Sequence, residues 1–142
     1  MLVVLDTHVL VSGLLNSAGK PGKIINLALE NRFQVAYDDR ILAEYEDVLA
    51  RGELHIRRSL ARAVIAPIEL TGFQIDAETL SSEGFHDPGD MPFVEVFITA
   101  NAQALVTGNL RHFSPLIQKG LSIFTPAQFI ERFLLNYPEL KR

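Results

Sequence analysis

The chain has 142 residues, 48% of them hydrophobic and 21% charged, with a formal net charge of −4. That balance suits one folded domain over 1–142 with a sizeable core, and it excludes both a disordered chain and a general nucleic-acid coat protein. The absence of cysteine excludes disulfides and thiolate metal sites and fits a reducing cytoplasm.

No apolar run reaches membrane-spanning length, because Asp6 and Glu95 interrupt the longest candidates. No basic region precedes an apolar one at the start, so a signal peptide is not expected. Taken in order, Leu2 to Leu5 opens the chain as a continuous apolar run, the pattern of a strand buried on both faces. It stops at Asp6, and Thr7 or His8 leads into a short helix over Val9–Leu15. Pro21 starts a helix running to about Asn31, and Phe33–Tyr37 is a short strand. Asp38 or Asp39 caps the next helix, which places Ile41, Leu42, Tyr45, Val48 and Leu49 on one face and ends at Gly52.

Glu53–Leu70 reads as one or two helices, since Pro67 cuts the pattern, and Thr71–Ile75 as a strand. A polar stretch and the loop His86–Asp90 follow. Pro92 fits the first turn of a helix to about Ala102, Ala104–Thr107 is a strand, and Leu121–Phe124 is the last one. Thr125-Pro126-Ala127-Gln128 combines a cap, a first-turn proline and a capping-box glutamine. The alternation predicts a three-layer α/β/α sandwich with a central, mostly parallel sheet.

Each chemical signal is modest alone. A carboxylate ending a strand, as Asp6 does, often caps the following helix. Glu44 flanks the apolar face of its helix and, taken alone, reads more readily as a solvated glutamate like Glu46 and Asp47. Asp87 and Asp90 bracket Pro88-Gly89 like a turn and an N-cap. Their joint placement is what informs: Asp6 and Asn109 at strand ends, Asp90 at a helix start and Glu44 on a flanking helix converge on one edge of a parallel sheet. Carboxylates gathered there repel one another unless a hard divalent cation joins them, and an all-oxygen set suits Mg²⁺ or Mn²⁺ rather than zinc. Such a site supports phosphodiester hydrolysis.

Four runs carry a resemblance: Val4-Leu5-Asp6-Thr7-His8-Val9-Leu10-Val11-Ser12, Leu42-Ala43-Glu44-Tyr45-Glu46-Asp47-Val48-Leu49, Asp87-Pro88-Gly89-Asp90-Met91-Pro92-Phe93 and Ala104-Leu105-Val106-Thr107-Gly108-Asn109. In order and spacing they are similar to the successive acidic motifs of PIN domains. The resemblance implies a parallel sheet flanked by helices and a Mg²⁺- or Mn²⁺-dependent endoribonuclease in the cytoplasm. Small prokaryotic members are typically toxins of toxin–antitoxin pairs, held by a cognate antitoxin and often homodimeric, with no membrane partner. By position Asp6, Glu44 and Asp90 form the acidic core, Asn109 stands where the family often has a fourth acid, and Asp87 is an alternative ligand or supports one.

His8 departs from the Asn or Ser usual two residues after the first acid; its imidazole hydrogen-bonds within the site, ligates a metal or fills space, the first and last being favoured. Thr7, His8, Arg111 and His112 are the residues expected to meet the RNA substrate, with Arg51, Arg57, Arg58 and Arg62 as a possible RNA-facing rim. His55 and His86 are given no role. Phe129, Phe133 and Leu134 either finish the core or serve oligomerisation. Two rival readings remain. One is a PIN fold that has lost catalysis and binds RNA or protein. The other is an unrelated phosphate-transfer fold. It is disfavoured because a phosphatase needs a second Asp where His8 stands, and a receiver needs a late lysine after a strand, which Lys119 is not.

Overall fold

The computed structural model describes residues 1–85 and 87–136, so His86 lies outside the described residues. Five strands form one parallel sheet: β1 (Leu2–Leu5), β2 (Gln34–Tyr37), β3 (Phe73–Gln74), β4 (Ala104–Val106) and β5 (Ile123–Phe124). Their spatial order is β3-β2-β1-β4-β5. Helices α1 (Thr7–Leu15), α2 (Lys20–Leu29), α3 (Asp39–Leu49), α4 (Arg58–Thr71), α5 (Met91–Thr99), α6 (Ser114–Gln118) and α7 (Pro126–Asn136) complete the α/β/α sandwich.

The central strand shows why both faces are covered. Successive strand residues point to opposite sides, yet Val3, Val4 and Leu5 are all fully buried. Helix α5 packs on β1, β2 and β4, while α7 packs on β4 and β5 and meets α2. After β1 the chain moves outward through β2 and β3; it then returns across the sheet to β4 on the other flank of β1. That reversal is a topological switch point, where the loops after neighbouring strands diverge and leave a crevice. The register Leu5↔Val106 puts Asp6 and Thr107 side by side at its mouth.

Local chemistry explains most of the boundaries. The Asp38 carboxylate caps α3 by accepting from the Ile41 N–H at 3.0 Å. The capping box at α7 is reciprocal: Thr125 N–H donates to Gln128 Oε1 at 2.9 Å and Gln128 N–H to Thr125 Oγ1 at 3.2 Å. Asn101, at φ 51°, turns the chain out of α5 in the left-handed conformation that asparagine tolerates.

The differences from expectation are local. Helix α1 begins at Thr7, so Thr7 and His8 belong to its first turn. The segment with Pro67 is one helix, α4, preceded by a separate 3₁₀ turn at Gly52–Leu54. Its buried stripe of Ala61, Val64, Ile65 and Ile68 holds it together across the proline. A 3₁₀ turn at Leu110–Phe113 and the short α6 were not anticipated. Strands β3 and β5 are shorter than their apolar runs. Phe129 and Phe133 finish the core, packing edge-on against Phe33 at 5.6 and 6.1 Å.

An ionic clamp, with both acids buried and Arg40 half exposed, joins the two helices that flank the crevice. The Arg40 guanidinium of α3 donates to Glu95 Oε1 of α5 at 2.7 Å and to Asp38 Oδ2 at 2.7 and 2.9 Å. The other oxygen of Glu95 accepts the Leu80 N–H at 2.7 Å. Glu95 is only 3% exposed, a position a carboxylate tolerates only when fully paired. Glu95→Ala leaves the Leu80 N–H without its acceptor and Arg40 with Asp38 alone, and is expected to cost about 1–2 kcal/mol of folding stability in urea denaturation. A loss under about 0.5 kcal/mol, the range of an ordinary surface substitution, would show that the clamp is not structural.

Candidate active site

Asp6 follows β1 directly, in the N-cap position of α1, yet its side chain does not cap that helix. Instead Oδ2 accepts from the Thr107 hydroxyl at 2.7 Å, and its backbone N–H continues the sheet to Val106 O at 2.9 Å. Thr107 is fully buried and in turn accepts the Asn109 N–H at 3.1 Å. The loop after β4 is thereby tied to the carboxylate that ends β1.

Glu44 is half-buried on α3 and accepts a hydrogen bond from the Thr7 hydroxyl. The next residue, Tyr45, is fully buried and donates to the carbonyl of Leu5. Burial, with Asp6 and Glu44 close by, pushes that phenol well above its ordinary pKa and keeps it a neutral donor. These bonds fix α3 against the end of β1 and set the direction of Glu44.

Asp87 and Asp90 enter on a 3₁₀ turn, Pro88–Asp90, that runs straight into α5. Asp87 caps that turn, its Oδ1 accepting the Gly89 N–H at 2.8 Å. Asp90 is 8% exposed and does not cap α5. Its Oδ2 is buried without a hydrogen bond, although His112 Nδ1 stands 3.1 Å away. Burial raises the Asp90 pKa most strongly; His112 opposes the rise, and the charges of Asp6, Asp87 and Glu44 add to it. The outcome is a shift from an ordinary 3.8 to about 6. Three other carboxylates therefore lie within electrostatic reach of Asp90.

Ligand-capable atoms of Asp87, Asp90 and His112 all lie within 4.8 Å of one another. Among the described residues this is the one group of three or more acidic or histidine side chains with metal-site spacing. It differs from the expected oxygen-only trio: Asp6 and Glu44 influence Asp90 electrostatically but stand outside the tight group. His112, expected among the substrate contacts, lies beside Asp87 and Asp90.

Of the other candidates, Thr7 is 4% exposed with its hydroxyl engaged by Glu44. His8 is exposed on α1 without a hydrogen bond, so it neither bonds within the site nor fills space there. Asn109 and Arg111 are exposed on the loop after β4. Arg57, Arg58 and Arg62 are exposed around the start of α4, and Arg51 makes an exposed 3.5 Å pair with Asp47. Sequence reasoning missed Thr107 and the Arg40–Glu95 clamp. For Thr107 a signal existed: a threonine ends the very strand that pairs with the one ending in Asp6.

A parallel doubly wound sheet binds ligands at the switch point where these carboxylates gather. The sequence profile of the PIN domain matches residues 2–111, and the chain belongs to the PIN domain family. No curated protein matches it by sequence. Among solved structures it resembles the crystal structure of VapBC2 from Rickettsia felis bound to a DNA fragment from their promoter. The TM-score is 0.59 at 18% identity, over 88% of this chain and 98% of that one; at such identity the likeness concerns the fold. No helix among the described residues is long and apolar enough to cross a membrane.

The raised Asp90 pKa makes a signed prediction for the metal-free protein. The unfolded chain ionises Asp90 near 3.8 and the folded chain near 6, so the folded state holds the extra proton between those values. Stability from this group is complete below the lower value and is lost as pH rises through the upper one. With chelator present, Asp90→Asn is expected to be more stable than the parent at pH 7 by about 1–2 kcal/mol, the advantage shrinking towards pH 4. Thermal melts across that range check it, and an Asn variant less stable at pH 7 would contradict it.

Proposed function

We propose that this chain is a divalent-metal-dependent endoribonuclease and the toxin of a toxin–antitoxin pair, acting in the cytoplasm as a homodimer and restrained by a cognate antitoxin. The observation that carries the reading is the crowding at Asp90: a buried carboxylate oxygen without a hydrogen bond, facing an imidazole and within reach of Asp6, Glu44 and Asp87. A fold does not assemble mutually repelling acids for stability; a cation resolves the repulsion. The residues present fit Mg²⁺ or Mn²⁺: Asp87 and Asp90 with Asp6 and Glu44 beside them, and Asn109 as a neutral oxygen donor at the end of β4. When bound, the cation would polarise the phosphate and acidify an attacking water.

The chain's own groups divide the remaining work. Thr107 and Thr7 hold Asp6 and Glu44 by their hydroxyls, so neither acid has to reorganise when a phosphate arrives. A carboxylate of the cluster accepts the proton of the attacking water. In this reading Arg111, exposed beside His112 on the loop after β4, meets a phosphate oxygen. The antitoxin and dimer rest on the family to which the chain belongs and on its likeness to VapBC2.

The test is cleavage of single-stranded RNA by the purified chain. Asp6→Asn and excess EDTA are each expected to lower the rate at least about 100-fold, with Mn²⁺ restoring the EDTA-treated protein. Cleavage that survives EDTA would remove the cation from the chemistry. Failure to cleave together with no saturable Mn²⁺ binding would favour the binding-module reading, which the neutral Asn109 motivates.

A further inference from the structure

The segment that follows β4, Thr107 to Phe113, carries no carboxylate. Its side chains able to ligate a metal are the amide of Asn109 and the imidazole of His112. The latter is the one the fold aims at the acids. His112 sits in the 3₁₀ turn Leu110–Phe113, and the next residue, Phe113, is fully buried and anchors that turn in the core. Nδ1 stands 3.1 Å from Asp90 Oδ2, and this oxygen accepts no hydrogen bond. Asp87 contributes from the other side of a rigid Pro-Gly turn, with Oδ1 occupied by Gly89 N–H.

Resting on the metal-dependent reading above, we propose that His112, through Nδ1, is a direct ligand together with Asp87 and Asp90 and that the site therefore selects a first-row transition cation over Mg²⁺. Mg²⁺ demands oxygen donors in near-ideal octahedral geometry and surrenders its waters reluctantly. An imidazole beside two carboxylates instead suits Mn²⁺, Co²⁺ or Zn²⁺, whose affinities rise towards the end of that series. The spacing supports this: the ligand atoms lie within 4.8 Å of one another, a span that small side-chain rotations close onto one ion. Side-chain exposure is 40% for His112 and 12% for Asp90, so one ligand faces the solvent from which the ion enters while the other is held in the protein. Asp90 Oδ2 accepts no hydrogen bond although Nδ1 stands 3.1 Å away, which leaves that oxygen available to an ion shared with the imidazole. A buried carboxylate whose sole purpose was to cap α5 would accept that helix's N–H groups, and Asp90 does not.

Titration calorimetry with Mn²⁺ and with Mg²⁺, each alone on the full chain, reads the selectivity. Pulsed electron paramagnetic resonance of the Mn²⁺ complex reads the ligand. The expected results are tighter binding of Mn²⁺ than Mg²⁺ by at least about 10-fold and a hyperfine coupling from a directly bound imidazole nitrogen. In His112→Ala that coupling disappears and Mn²⁺ affinity falls by at least about 10-fold, the loss typical even of groups that only support a ligand, while Mg²⁺ affinity changes little. Circular dichroism of the variant confirms that it is folded. A Mn²⁺ complex without nitrogen coupling, or equal losses for both ions, overturns the inference. The nuclease reading fails separately: metal-dependent RNA cleavage without nitrogen coupling sinks only the ligand assignment, and nitrogen coupling without cleavage sinks only the nuclease.

Discussion

Negative charge confined at the mouth of a switch point is the constraint on which the site depends. The sheet supplies the place: β1 and β4 are parallel neighbours whose following loops diverge, and the register sets Asp6 beside Thr107. Asp6 is 6% exposed and Asp90 8%, so water screens their charges only partly, and burial together with the charges of Asp6, Asp87 and Glu44 raises the Asp90 pKa. The fold answers this differently at each acid. Asp6 and Glu44 are partly compensated by hydroxyl donors, Thr107 and Thr7. Asp90 is left with an unbonded oxygen and takes the strain as a raised pKa.

Holding such a cluster requires rigid walls, and the walls are charged too. Arg40 spans from α3 to α5 through Asp38 and Glu95, and Glu95 also pins Leu80 of the preceding loop. The clamp thus joins the helix bearing Glu44 to the helix that Asp90 begins. Tyr45 adds a bond from α3 to the last carbonyl of β1. The distance between opposing acids is set by these paired groups outside the cluster, which leaves the acids themselves free to serve a cation.

What could be read in the sequence was whatever leaves a local trace. The apolar run before Asp6, the Asp38 cap and the Thr125–Gln128 box depend on residues a few positions apart, and each was legible. The sheet's parallel order followed from alternation of strands and helices. The hidden features are long-range side-chain partners: Thr107 with Asp6 is 101 positions apart, Arg40 with Glu95 is 55, and Thr7 with Glu44 is 37. No local pattern encodes such pairs, because strand register and helix rotation decide them. The same holds for His112, which looks like part of a polar turn until Phe113 is seen to anchor that turn beside Asp90. Pro67 left the choice between one helix and two open, and the buried stripe of α4 decides for one helix across it.

The molecule also contains its own control for telling a structural acid from a functional one. Asp38 and Glu95 are buried as deeply as Asp90, at 6% and 3%, and burial alone would mark all three alike. Yet Asp38 caps α3 and shares Arg40, and both oxygens of Glu95 are bonded, so these acids account fully for themselves within the fold. Asp90 has an oxygen with no hydrogen bond and neighbours of its own sign. Among the described residues its one nearby cationic partner is the half-exposed His112, and for stability alone a neutral side chain here would relieve the repulsion from Asp6, Asp87 and Glu44. The retained defect, located where the sheet's loops part, is therefore the physical signature that separates the site from the scaffold.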